Sequence, residues 1–135
     1  MFLSGGIGVT PFRSMIKYAT DKNLPIRIIM IDSNRSRQNI LFKNHFDKCA
    51  DTNKNLKIIY TITEEQSKNG DDEWKGEKGR IDIAMLKRYL NSGDIEKGIF
   101  YICGPPAMVK AMHNILEVDL QIPAERIKIE EFTGY

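Results

Sequence analysis

Residue types that build metal sites and disulfides are scarce in this sequence. It has two cysteines, Cys49 and Cys103, which lie far apart and form no C-x-x-C pair, so a reducing compartment such as the cytoplasm is the expected location. The two histidines, His45 and His113, each stand alone on a predicted helix. Without clustered partners they indicate no metal site, and the cysteine pattern of an iron–sulfur protein is absent.

Long apolar runs and strong charge are also missing. No stretch approaches the ~20 apolar residues of a membrane-spanning helix, and no charged-then-apolar signal segment opens the sequence. The net charge of +2 is too small to indicate nucleic acid or a membrane surface as a partner. What remains is a chain of 135 residues, 41% of them hydrophobic, which we expect to form one domain, 1–135, with its own core.

Short apolar runs alternate with amphipathic stretches along the whole chain. This alternation predicts an α/β fold: a three-layer, open parallel sheet of five strands in the order 3-2-1-4-5, with helices on both faces, as in Rossmann-like domains. The second helix is expected over Gln38–Cys49. A helix capped by Asp82 follows the polar stretch 63–79, which is typical of a functional or mobile loop. The predicted strands are Met1–Leu3, Ile26–Ile31, Leu56–Ile62, Ile99–Cys103 and Ile127–Phe132.

A glycine-rich turn, Ser4 to Phe12, joins the first strand to the first helix. Thr10 suits the helix cap and Pro11 suits the first turn, where a backbone N–H has no helical partner. Glycine lets backbone N–H groups approach a ligand closely, and a helix N-terminus favours an anion, so the turn predicts a pyrophosphate site. The alternative is a tight turn without a ligand. Pro11 stands where the dinucleotide fingerprint has a third glycine, and the Gly-Lys-Ser/Thr ending of a P-loop is absent.

A second loop, Cys103 to Pro106, also lies between a strand and a helix. With the strand order given above, this loop faces the glycine-rich turn across the centre of the sheet. Taken alone, Cys103 is most simply interpreted as a small buried apolar residue at a strand end. No histidine or acid stands beside it in the sequence to activate the thiol, so nucleophilic attack is not expected.

Five short motifs occur in order along the chain. Together they resemble the pyridine-nucleotide-binding domain of the ferredoxin–NADP reductase superfamily, which includes flavin- and NAD(P)-binding oxidoreductases and the reductase components of oxygenases. The resemblance covers essentially the whole sequence. The motifs are Gly-Gly-Ile-Gly-Val-Thr-Pro-Phe at 5–12, Ser-Asn-Arg at 33–35, Gly-Arg-Ile at 79–81, Cys-Gly-Pro-Pro at 103–106 and Glu-Glu-Phe at 130–132.

The resemblance implies a role for four of these five motifs, all except Gly-Arg-Ile at 79–81. The glycines would approach the pyrophosphate, Thr10 the nicotinamide ribose or flavin edge, and residues 33–35 the adenosine ribose and any 2′-phosphate. The implied catalytic residues are Cys103, beside the nicotinamide carbon that gives up hydride, and Glu130, which with Phe132 approaches the flavin. The alternatives are a solvated strand face for Glu130 and simple packing for Phe132. The implied cofactor-binding set is Gly5, Gly6, Gly8, Val9, Thr10, Pro11, Ser33, Asn34, Arg35, Arg37, Cys103, Gly104, Pro105, Pro106, Met108 and Phe132.

The choice of nucleotide depends on the loop after the second strand. Arg35 and Arg37 place guanidinium groups where a ribose 2′-phosphate would lie, whereas Asp32 would repel that phosphate and accept from a ribose hydroxyl. Two cations against one anion favour NADPH over NADH. The alternative for both arginines is a solvated loop.

The implied function is that of the NAD(P)H-binding portion of a flavin-dependent oxidoreductase, which passes hydride from nicotinamide to FAD or FMN held by another domain or chain. The family's flavin-binding barrel carries an Arg-x-Tyr-Ser/Thr type motif that this sequence lacks. A flavin-binding domain or subunit is therefore the expected partner, a redox acceptor protein is a second candidate, and an exposed apolar patch is expected near Phe12 and Phe132.

Two other functions compete with this one. A non-catalytic nucleotide-binding subunit, regulatory or electron-transferring, stays open as the alternative. A receiver-type signalling domain has a similar topology but needs an acceptor aspartate after the third strand. This chain has Tyr60-Thr61-Ile62-Thr63 at that place, so the receiver function is not expected.

Overall fold

A parallel sheet forms the centre of the computed structural model, which describes residues 1–64 and 74–131. Within these residues the sheet has six strands in the order β4-β3-β2-β1-β5-β6, and every pairing is parallel. The five predicted strands are present in the predicted order. Their bounds, with those of the additional β4, are β1 (Phe2–Gly5), β2 (Ile28–Asn34), β3 (Leu56–Ile62), β4 (Glu77–Lys78), β5 (Phe100–Gly104) and β6 (Ile127–Glu131).

The strand that the prediction omitted, β4, is held at the sheet edge by side chains. The Glu77 carboxylate accepts hydrogen bonds from Arg88 Nη2 and from the Tyr89 hydroxyl, both at 2.6 Å. Two residues are too short to carry an alternating apolar pattern, so the sequence gives no sign of this strand.

Helices cover both faces of the sheet, which confirms the predicted three-layer class. They are α1 (Thr10–Asp21), α2 (Lys43–Thr52), α3 (Ile83–Tyr89), α4 (Ser92–Lys97) and α5 (Pro106–Asn114). On one face, α1 and α2 bury Phe12, Ile16 and Phe46 against β1 and β2. On the other face, α3 and α5 bury residues such as Leu86 and Val109 against β1, β5 and β6. Each such side chain stabilises the fold by about 1.5–3 kcal/mol relative to an exposed one.

The predicted helix over Gln38–Cys49 is wrong in its first part. Residues 37–39 form a single 3₁₀ turn, and α2 begins only at Lys43. Phe42 has a φ of 58°, a left-handed conformation that an α-helix cannot include, and it separates the turn from the helix. The predicted cap is confirmed, because the Asp82 side chain accepts from the Met85 N–H at 2.8 Å.

The reversal of strand order at β1 creates a crevice at the carboxyl edge of the sheet. β1 lies between β2 and β5, with Ser4 paired to Asp32 on one side and to Cys103 on the other. The loops after β1 and β5 therefore meet at the carboxyl edge, as predicted. Among the described residues no helix has the length and apolar character needed to cross a membrane.

Candidate functional site

The glycine-rich turn leads from β1 into α1 through a short 3₁₀ turn, Gly6–Val9. Gly6 has a φ of 55°, in the left-handed region that only glycine adopts without strain. Pro11 occupies the first turn of α1 as predicted, but Thr10 is inside the helix and its side chain makes no capping hydrogen bond. The first N–H groups of α1 are thus left without a side-chain cap, which suits an anionic ligand.

Gly8 brings the two loops into direct contact. A Cβ at Gly8 would overlap the carbonyl oxygen of Cys103 and would lie 2.8 Å from the Cα of Gly104. A Cβ at Gly104 would in turn lie 2.9 Å from the Met108 sulfur, and one at Gly5 would overlap that sulfur. Close packing therefore requires glycine at Gly8, where the clash is with backbone atoms, whereas at Gly5 and Gly104 the flexible Met108 side chain would have to move. The contact at Gly8 brings the backbones of both loops together at the switch point.

A cleft of about 990 Å³ opens along the carboxyl edge beside this contact. Of the residues predicted from the sequence, those that line it are Gly5, Gly6, Ser33, Asn34, Arg35, Pro105 and Met108. The other predicted residues lie outside its lining. Four of them are buried, namely Gly8, Val9, Cys103 and Gly104, and the remainder are Thr10, Pro11, Arg37, Pro106 and Glu130. Phe132 lies outside the described residues.

Arg80 is the main functional candidate that the sequence analysis missed. It is exposed and lines the cleft together with Arg35 and Thr63. Gly79, with a φ of 91°, turns the chain just before it. The N–H of Gly79 donates to the Ile62 carbonyl at 2.9 Å, and the Gly79 carbonyl accepts from the Thr61 hydroxyl at 2.6 Å. The turn is therefore anchored to β3. The Gly-Arg-Ile motif at 79–81 was the available signal.

The two arginines that were predicted to act together are separated in the structure. Arg35 lines the cleft and remains largely exposed, with Glu64 at 3.9 Å. The Arg37 guanidinium instead lies over the ring of Trp74, 5.7 Å from its centre, and does not line the cleft. Among the described residues that line the cleft, Arg35 and Arg80 are therefore the cations at this end.

Asp32 does not face the cleft, contrary to the expectation that it would meet the ribose. Its carboxyl is fully buried and accepts hydrogen bonds from Ser4 Oγ at 2.9 Å and from Asn34 Nδ2 at 3.0 Å. Burial raises the pKa of this carboxyl to about 7, against the opposing effect of both hydrogen bonds. Asn34 is also buried, and its Oδ1 has no hydrogen-bond partner in the described part of the chain.

Cys103 and Glu130, the two residues implied to be catalytic, are cross-strand neighbours on β5 and β6. Cys103 is 1% exposed, whereas Glu130 is exposed to solvent. Burial, with a smaller effect from the Glu130 charge, raises the pKa of the Cys103 thiol to about 11. The thiol is therefore protonated at neutral pH, which argues against nucleophilic attack. A role of Cys103 beside the nicotinamide stays a prediction.

Phe12 does not contribute to an exposed apolar patch, and the part of the expected patch near Phe132 lies outside the described residues. Phe12 is 3% exposed, because its ring stacks on that of Phe2 with 4.5 Å between centres. Exposed apolar side chains instead line a groove of about 660 Å³ at the opposite, amino end of the strands. They are Met15, Tyr18, Ile26 and Ile99.

A protein-family model and several curated proteins match this chain in sequence. A family model described as the oxidoreductase NAD-binding domain matches residues 2–114. The chain is 32% identical over 120 residues to an NADPH nitrate reductase of Emericella nidulans, covering 86% of this chain and 13% of the relative. It is 31% identical over 140 residues to one component of the Na(+)-translocating NADH-quinone reductase of Idiomarina loihiensis, covering 99% of this chain and 32% of the relative.

A solved structure gives the same fold over nearly the whole length. The FAD/NAD-binding domain of nitric oxide dioxygenase from Vibrio cholerae superposes with a TM-score of 0.81 at 19% identity, covering 98% of this chain and 50% of the other. The chain thus spans less than a third of the length of the curated relatives described above. The relatives' names include both NADPH and NADH, so they do not decide between the two nucleotides.

Proposed function

The chain belongs to the oxidoreductase NAD-binding domain family, the nucleotide-binding part of the ferredoxin–NADP reductase superfamily, and from this membership we propose that its cleft binds NAD(P)H for hydride transfer to a flavin. The flavin would be held by a flavin-binding domain or partner. The observation that carries the proposal is the contact of Gly8 with Cys103 and Gly104, since it brings two strand-to-helix loops together beside one cleft.

The glycine-rich turn fits a pyrophosphate. Gly5, Gly6 and Ile7 line the cleft, and a Cβ at Gly5 would push the Met108 side chain out of its place. Close approach of backbone N–H groups at the start of a helix is the usual way in which proteins hold such an anion. These residues would therefore fix the middle of the dinucleotide.

The two ends of the cleft differ in chemistry in the way a dinucleotide requires. Ser33, Arg35 and Arg80 supply a hydroxyl and two cations at the end proposed for the adenosine. At the other end, Pro105 lines the cleft directly after the buried Cys103 and Gly104, where the nicotinamide would lie. The bound nicotinamide supplies the hydride, and the chain's own residues orient it and exclude water.

The flavin-binding partner would pack on the side of β5 and β6 that faces α1. Tyr101 and Cys103 point to this side, and the side chains paired with them, Lys128 and Glu130, are exposed. Tyr101 also lines the apolar groove at the amino end of the strands. A partner on this side would cover the groove and reach Glu130 next to the nicotinamide end.

A cytoplasmic location stays a prediction.

Two variants test the proposed cofactor and its preference. Arg35→Ala and Arg80→Ala should each weaken NADPH binding about 3- to 10-fold, because each removes one exposed cation from the 2′-phosphate, and should change NADH binding much less. Isothermal titration calorimetry with both nucleotides measures this. Lys22→Ala, which removes a charge at the far end of α1, is the control. Tighter binding of NADH by the unmodified chain, or equal losses for both nucleotides, would contradict the preference for NADPH.

A further inference from the structure

The Asp32 carboxyl ties together the two strand ends that lead into the cleft. Ser4, which donates to Oδ1, directly precedes Gly5 of the glycine-rich turn. Asn34, which donates to Oδ2, directly precedes Arg35 at the other end of the cleft. Asp32 itself is 0% exposed, so a single buried carboxyl lies between the proposed pyrophosphate and adenosine ends of the site.

No cation compensates this carboxyl within residues 1–64 and 74–131. Both of its hydrogen-bond partners are neutral, and the ion pairs found there do not include it. Its cross-strand neighbour on β3, Tyr60, donates its hydroxyl to Asp47 at 2.9 Å. The charged and titratable side chains of the elements on this face are Arg13, Lys17, Tyr18 and Asp21 of α1, Lys43, His45, Asp47, Lys48, Cys49 and Asp51 of α2, Tyr60 of β3, Tyr101 and Cys103 of β5, and Lys128 and Glu130 of β6.

We propose that Asp32 is a positioning residue of the nucleotide site and takes up a proton from solvent when an anionic ligand binds against Gly5–Ile7. This inference rests on the proposed function. A pyrophosphate brings negative charge to the turn that begins one residue after Ser4, and in a low-dielectric interior it repels a carboxylate that has no cation beside it. Protonation of Asp32 removes that repulsion.

The neutral acid can still hold both strand ends. Its carbonyl oxygen continues to accept from Ser4. Its new O–H can donate to Asn34 Oδ1, an atom that has no partner among the described residues, after the Asn34 amide turns by half a rotation. The unpartnered acceptor of Asn34 thus gives the same cluster a second hydrogen-bonding state.

The sign of the pH effect follows from the charge. Asp32 of the ligand-free chain has a pKa of about 7, and a bound anion raises that pKa further. NADH affinity is then greatest below about pH 7, falls as the pH rises through the pKa values of the free and bound chain, and is constant above the latter. A shift of up to about one pKa unit corresponds to a loss of roughly 3- to 10-fold across this window.

Calorimetric titration with NADH between about pH 6 and pH 9, in two buffers of different ionisation enthalpy, measures affinity and proton uptake together. NADH is the probe because the 2′-phosphate of NADPH itself titrates near pH 6. We expect uptake of a fraction of one proton near pH 7 in the unmodified chain. Uptake and pH dependence should both disappear in Asp32→Asn. They should persist in Asp51→Asn, which makes the same chemical change at an exposed position of α2.

Ser4→Ala provides a second variant if Asp32→Asn does not fold. The hydrogen bond from Ser4 lowers the pKa of Asp32. Its loss should therefore raise that pKa and move the midpoint of the pH dependence upward. Binding of NADH without proton uptake, or an unchanged pH profile in both variants, would overturn the inference and leave the proposed function standing. Absence of NADH binding at every pH would overturn both.

Discussion

Replacing Gly8 by alanine should weaken NADH binding at least about tenfold and lower the free energy of unfolding by about 1–3 kcal/mol. The added Cβ would overlap the Cys103 carbonyl oxygen, which belongs to the backbone of β5 and cannot rotate away. The loops after β1 and β5 must then separate, and the cleft between them changes shape. Calorimetric titration gives the affinity, and urea unfolding gives the stability.

Gly93→Ala is the matched control for this substitution. Gly93 lies in α4, outside the cleft lining, and its added Cβ would meet only the Asn91 side chain at 3.3 Å. We expect NADH affinity to be unchanged in this variant. Wild-type affinity and stability in Gly8→Ala would show that the contact between the loops is not required.

Purified alone, the 135 residues should fold, carry no flavin and fail to oxidise NADPH or NADH with ferricyanide. Hydride transfer needs donor and acceptor at about van der Waals contact, and this geometry supplies a large part of the rate. The cleft in the described residues is proposed to hold the donor, and the acceptor is proposed to be held by another domain or chain. Visible absorbance after purification and the ferricyanide assay measure the two effects.

Addition of a flavin-binding partner, fused or separate, should restore turnover from an undetectable level, and addition of free FAD should not. Yellow protein with stoichiometric flavin and turnover by this chain alone would contradict the prediction. Continued inactivity with every flavin-binding partner, together with retained NADH binding, would favour a regulatory role instead.

The order of the strands and the contact between the two loops could be predicted from the sequence. Continuous apolar runs of strand length and glycines between a strand and a helix are local signals, and the parallel α/β fold restricts how they can be arranged. The bounds of β2 could not be predicted. Its expected end was Ile31, but pairing with β3 extends it to Asn34 and draws Asp32 into the sheet interior.

The features that were missed depend on tertiary contacts. Phe42 adopts a positive φ between a turn and a helix, although its sequence neighbourhood suits a continuous helix. Arg80 reaches the cleft because Thr61 and Ile62 of β3 anchor the Gly79 turn, across a gap of many residues in sequence. From the sequence, Phe12 could lie either on the core face of α1 or in an exposed patch. In the structure its ring stacks on Phe2 and is buried in the core.

Amide chemical-shift mapping during titration of the ¹⁵N-labelled chain with NADH tests the central claim most directly, because the described residues form two clefts of comparable size at opposite ends of the sheet. We expect the largest changes at Gly5–Ile7, at residues 33–41 and at Gly104, Ala107 and Met108, since Pro105 and Pro106 have no amide N–H. Changes concentrated instead on Met15, Tyr18 and Ile26–Ile29, around the groove at the amino end of the strands, would contradict it.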